Sequence, residues 1–127
     1  MCFQDAVTKN WWLTLHDMEI GYFPAALFSD MKSAAIVGWG GRTRTIVGTS
    51  SPQMGSGYFP DGSSVHACYF RYALTEGSSR EVYGPKPYQI LSFSDKPKCF
   101  GVKSYGYQGG LLGNVIQFGG PGGNCGN

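Results

Sequence analysis

Val65-His66-Ala67-Cys68-Tyr69-Phe70-Arg71-Tyr72-Ala73-Leu74 is the strongest strand signal in this chain. Successive side chains of an extended chain point to opposite sides, so Val65, Ala67 and Tyr69 share one face and His66, Cys68, Phe70 and Tyr72 the other. Both faces are apolar or aromatic, the pattern of a strand covered on both sides over part of its length. Further β segments lie around it. Asn10-Trp11-Trp12-Leu13-Thr14-Leu15-His16 reads as a strand with a turn at Asp17, and Glu19 to Phe23 as the returning strand. Ala35 to Trp39 reads as a buried strand bent at Gly40-Gly41. Arg42 to Val47 alternates β-branched and basic residues, as a half-exposed strand does. Thr49 to Gly62 and Thr75 to Pro87 read as loops, the second broken by Glu81-Val82-Tyr83. Tyr88 to Phe93, Phe100 to Tyr105 and Val115 to Phe118 are short β segments. A single helix is expected: Pro24 suits its first turn, and Leu27, Phe28 and Met31 cover one face of a helix running to about Ser33. Turn signals at intervals of roughly ten residues then give an all-β chain, an antiparallel β-sandwich or barrel with one short helix.

Composition supports this class. The chain has 127 residues, enough for one domain. Charged residues make up 14% and glycine 20 of 127 positions, while aromatic residues reach 15%. That is too apolar for a disordered chain. No apolar run approaches the roughly 18 residues of a membrane-spanning helix. Lys+Arg 10 against Asp+Glu 8 leaves a net charge of +2, thinly spread, which gives no electrostatic case for nucleic acid. Neither a membrane nor a nucleic-acid partner is expected.

The residues alone point to little chemistry. Eight carboxylates (Asp5, Asp17, Glu19, Asp30, Asp61, Glu76, Glu81, Asp95) fall mostly in turns or on polar faces. His16 and His66 share no motif with a nucleophilic Ser or Cys. Gly119-Gly120-Pro121-Gly122-Gly123 lacks the Lys-Ser/Thr and helix that make a phosphate-binding loop, so no cofactor is expected. The four cysteines, Cys2, Cys68, Cys99 and Cys125, include no CxxC pair and no neighbouring histidine, so no metal is expected either. Four cysteines allow three full pairings. Cys99 and Cys125 stand in surface-like contexts where a bridge pins the C-terminus, against the alternative of two free thiols. A bridge belongs to an oxidising compartment, yet Met1 to Asp5 lacks the basic start and apolar stretch of a signal peptide. The expectation is that a leader lies upstream in a longer product, or that the chain is a truncated piece of one.

A series of words carries the reading further: Asn10-Trp11-Trp12-Leu13; Gly21-Tyr22-Phe23-Pro24-Ala25 with Leu27-Phe28; Trp39-Gly40-Gly41; Gln53-Met54-Gly55-Ser56-Gly57 with Phe59-Pro60; Ala67 with Tyr69-Phe70-Arg71; Cys99; and Gly119-Gly120-Pro121-Gly122 with Asn124-Cys125. In this order they resemble the C-terminal half of the neprosin domain of plants, over residues 1-127. The resemblance implies a secreted, proline-directed glutamic peptidase on an antiparallel β-sandwich, and a disulfide between Cys99 and Cys125. In such an enzyme one carboxylate takes a proton from water while a protonated partner polarises the scissile carbonyl. The chain departs from the pattern at the decisive place. Glutamates commonly flank the Trp-Gly-Gly word in the family, and here those positions are Gly38 and Arg42. Neither accepts a proton from water. No catalytic residue is therefore assigned, and an inactive, truncated neprosin-type domain is expected. The alternative is a non-catalytic module whose groove binds a proline-rich peptide or a glycan through Trp39, Gln53 and Tyr69, for each of which core packing is the competing role.

Overall fold

A computed structural model describes residues 2–15, 18–29 and 31–126. The chain divides into two compact units, Met1–Val37 and Gly38–Asn127. The expected helix and several expected strands are corrected below; the all-β, antiparallel class stands, in three antiparallel sheets.

The first unit is a meander of β1 (Cys2–Gln4), β2 (Trp11–Leu15) and β3 (Met18–Phe23), hydrogen-bonded in that order. Register places Phe3 opposite Trp12 and Trp12 opposite Tyr22, a row of three aromatic side chains across the sheet. The β1–β2 connection is organised by Asp5, whose Oδ1 accepts from the Val7 and Thr8 amides at 3.1 and 2.6 Å and from the Thr8 hydroxyl at 2.7 Å. An Asp that bonds the backbone ahead of it is a strong local turn former. Lys9 takes a left-handed conformation, φ 60°, to complete the turn. After β3, Asn10 Oδ1 accepts the Ala25 amide at 2.9 Å and sets the start of a 3₁₀ turn, Ala25–Leu27.

That single turn is all that forms of the expected helix through Ser33. Leu27 and Met31 are 66% and 40% exposed, and of the expected apolar face only Phe28 finds a partner, edge to face with Phe23. No side chain caps the first turn. A helix this short is unstable in water without tertiary packing. Asp30, and the His16 and Asp17 of the expected β2 turn, lie outside the described residues.

The second unit is built on a sheet of order β4–β8–β7, with β4 at Cys68–Phe70, β7 at Gly101–Tyr107 and β8 at Asn114–Gly119. A two-stranded ribbon, β5 (Thr75–Glu76) and β6 (Val82–Tyr83), stands apart from it. Strand β8 is central, and its Val115, Ile116 and Gln117 are all buried. Gln117 is the largest side chain that is fully covered, and its Oε1 accepts the amides of Asp61 and Gly62 at 3.1 and 2.9 Å. A buried amide is tolerated only when its polar atoms find such partners.

The long strand expected over Val65 to Leu74 shrinks to three residues. Ahead of β4 the amide of Ala67 bonds the carbonyl of Ser63, a turn that leaves Val65 86% exposed. Behind it Tyr72 adopts φ 51°, while its amide and that of Ala73 still bond Leu112 and Asn114. Double-sided burial holds only for Ala67 and Ala73. Ala35 to Trp39 and Arg42 to Val47 form no strand, because no ladder partner runs beside them; Ile36 and Val47 are 91% and 96% exposed. Tyr88 to Phe93 begins as a 3₁₀ turn at Pro87–Gln89 and continues irregularly.

Cys99 and Cys125 form a disulfide with Cα atoms 5.8 Å apart, while Cys2 and Cys68 are free thiols. The bridge joins the segment entering β7 to the tail leaving β8. Between them Gly120 pairs with Met54 in an isolated antiparallel bridge, and a Cβ on it would collide with the Cys99 carbonyl. Glycine is required there by close backbone approach.

Candidate functional site

Alternation along the β4–β8–β7 sheet sorts the site residues. Cys68, Phe118 and Val102 are register partners, and Phe70 stacks on Phe118 with ring centroids 4.8 Å apart. Tyr69 instead pairs with Gln117 and Lys103, one step along each strand. One step in a strand is a change of face. The sheet therefore has a Phe118 face and a Gln117 face.

A cleft of about 540 Å³ lies on the Phe118 face. One wall is the Trp39-Gly40-Gly41-Arg42 segment; the other is the run from Phe93 to Lys96 together with Phe100 to Val102, and Met54 and Phe118 line it as well. Gly41 is needed for this arrangement, since a Cβ there would stand 2.6 Å from Met54 Sδ and 2.8 Å from the Phe118 ring. The lining mixes four aromatic rings with three charges, Arg42, Asp95 and Lys96. Asp95 is the single carboxylate among the lining residues. The Lys96 ammonium is already engaged by the Gly126 carbonyl at 2.5 Å.

Of the residues read from the sequence, Trp39 and Arg42 meet in this cleft. Gly38 adjoins Trp39, and a Cβ at that position would meet nothing within 4 Å, so space does not dictate glycine there. Gln53 is exposed and lies against Gly57, away from the lining. Tyr69 belongs to the opposite face. The second wall was not foreseen: Phe93 was read as part of a strand and Asp95 as a turn carboxylate, and only Cys99 hints that this segment is tied to the sheet.

The Gln117 face carries its own polar group of residues. His66 Nδ1 and Asp61 Oδ2 are 3.0 Å apart, and the His66 ring stacks on Tyr58 with centroids 5.6 Å apart. The Ser63 amide donates to Asp61 Oδ1 at 2.8 Å. That bond first, and His66 second, hold the Asp61 carboxyl below its ordinary value of 3.8. Among the described residues no group of three His, Cys, Asp or Glu side chains is placed to hold a metal ion.

An antiparallel, disulfide-tied β domain with an aromatic cleft across one sheet face is the class that fold and site define. The sequence model of the family described as Neprosin matches residues 1–121, and the chain belongs to that family. No solved structure matches it. Family and disulfide together fit an extracellular protein, and none of the helices among the described residues is long and apolar enough to cross a membrane.

Proposed function

We propose that this chain uses the neprosin-type cleft to receive an extended, proline-containing peptide, and that its own residues do not cleave what they bind. The observation that carries this is the composition of the cleft: aromatic walls at Trp39, Phe93, Phe100 and Phe118, with Asp95 as the one lining carboxylate. Extended prolyl segments lose little entropy on binding and dock well on aromatic grooves. Hydrolysis by a carboxylate pair needs an ionised base and a protonated acid held side by side, each setting the other's pKa. With Gly38 and Arg42 where the family resemblance leads one to expect glutamates, a lone Asp95 has no such partner.

The test is titration of the protein with a proline-rich peptide by isothermal calorimetry at neutral pH and at about pH 4, where a carboxylate dyad shares a proton, followed by mass spectrometry of the recovered peptide. Expected is saturable binding, an intact peptide, and a loss of affinity of about tenfold in Trp39→Ala, as for an aromatic anchor. Cuts after proline, or no binding at either pH, would overturn the reading.

A further inference from the structure

Another hollow lies wholly within the N-terminal meander. It is about 370 Å³ and is lined by the aromatic row Phe3, Trp12 and Tyr22 together with Glu19, Asp5, Thr8 and Asn10. The Trp12 and Tyr22 rings lie 4.9 Å apart and tilted by 40°. Tyr22 is 51% exposed, so this is an open aromatic floor. Glu19 pairs with Thr14 on the same sheet face, past a bulge that brings it toward Tyr22. No cationic side chain lines the hollow.

We infer that this hollow is a binding site for a basic side chain, the ammonium of a lysine or the guanidinium of an arginine presented by a peptide. The argument is one of matching donors to acceptors. Asn10 Oδ1 is taken by the Ala25 amide and Asp5 Oδ1 by the Val7 and Thr8 groups, while the Thr8 hydroxyl, donating to Asp5, also faces the Asn10 amide at 3.4 Å. Outside the strand ladder, the Glu19 carboxylate has no hydrogen bond or ion pair among the described residues. Beside the donors of the Asn10 side-chain amide, the Trp12 indole and the Tyr22 hydroxyl, the hollow thus offers a ligand the negative faces of aromatic rings and an acceptor-only carboxylate. Lysine and arginine heads are donor-only cations, the complementary set, and cations sit favourably over Trp and Tyr faces. Charge points the same way. Residues 1–37 contain Asp5, Asp17, Glu19 and Asp30 against Lys9 and Lys32, a net charge of −2 in a chain that is +2 as a whole.

The hollow belongs to the first unit alone and does not depend on the function of the cleft in the second. It is tested by proton–nitrogen NMR of the full chain, following the Trp12 indole (assigned with Trp12→Phe) during titration with Nα-acetyl-lysine methylamide, Nα-acetyl-arginine methylamide, the neutral isostere Nα-acetyl-norleucine methylamide, and maltose. Expected is a saturable, salt-sensitive shift with one or both cations. The norleucine compound should bind about fivefold more weakly or worse, the size of a single exposed cation–aromatic contact. Glu19→Gln, an exposed substitution that leaves the sheet intact, should weaken the cations by a similar factor and leave norleucine unchanged. Equal binding of norleucine, stronger binding of maltose, an unmoved Trp12 signal, or an unaffected Glu19→Gln variant would each overturn the inference.

Discussion

The meander of residues 1–37 and the β4–β8–β7 sheet of residues 38–127 are both three-stranded and antiparallel. They differ in what lies on their faces. All the buried residues of the described chain, Ser51, Ala67, Ala73, Cys99, Phe100, Gly113, Val115, Ile116, Gln117, Gly119 and Gly120, belong to the second unit. The meander has Trp11, Trp12, Leu13, Leu15, Met18, Ile20, Tyr22 and Phe23 in its strands and buries none of them. Apolar content is thus equal to the task in both places, and among the described residues of each unit only the second lays a further layer over its sheet. Loops covering the Gln117 face, a disulfide and the chain crossing the Phe118 face supply that layer. A sheet without one is marginal in water.

The largest expected effect sharpens the difference by removing the tether. Cys99→Ser with Cys125→Ser opens a loop of 26 residues, worth about 3.5 kcal/mol on chain-entropy grounds. Denaturant titration followed by hydrogen exchange should show β7 and β8 losing protection, with the meander's amides unchanged. Equal losses in both units would break the comparison.

Next in size is Gln117→Ala, which strands the Asp61 and Gly62 amides and opens a hole at the centre of the sheet. The expected loss is about 1–3 kcal/mol, seen as a lower unfolding midpoint. The matched truncation in the other sheet, Phe3→Ala, should move that midpoint by less than about 1 kcal/mol, since a half-exposed ring has less to lose.

The smallest effect is electrostatic. Asp61 has its pKa lowered in the folded chain, so it stabilises the fold above its unfolded value near 3.8, and the contribution is lost as pH falls through the lower folded value. Asp61→Asn should therefore flatten the pH dependence of stability below about pH 4, measured by thermal melts across that range. An unchanged acid limb would show that the Asp61 carboxylate, held by the Ser63 amide and by His66, does nothing for the fold.

What was legible in the sequence follows the same division. Strands at Trp11–Leu15, Met18–Phe23, Gly101–Tyr107 and Asn114–Gly119 were foreseen to within a few residues, because alternation and turn residues agree there. β1, at Cys2–Gln4, was missed for being three residues long. Ile36, Val37, Ile46 and Val47 have strand-forming side chains yet lie in irregular chain, since β propensity records fit to a pleated neighbour and these residues have none. Gln117 could not be read as a core residue, because its burial depends on two amides more than fifty positions away in sequence. Of the cleft, the Trp39 to Arg42 wall was visible as a word. The Phe93 to Lys96 wall was not, because it is placed by a covalent link and carries no pattern of its own.

That link has a topological side. Residues 99–125 form a closed covalent ring, and β7, β8 and the hairpin loop between them are all part of its circumference. The loop tip is the exposed part of the ring, with Leu111 86% accessible and flanked by glycines at 109, 110 and 113. A protease that nicks the chain there cuts the ring and frees nothing: the two pieces stay one molecule through the bridge and separate only when a reductant reaches it. A single cut there is then a scar, not a loss of the strand that holds the core of the sheet.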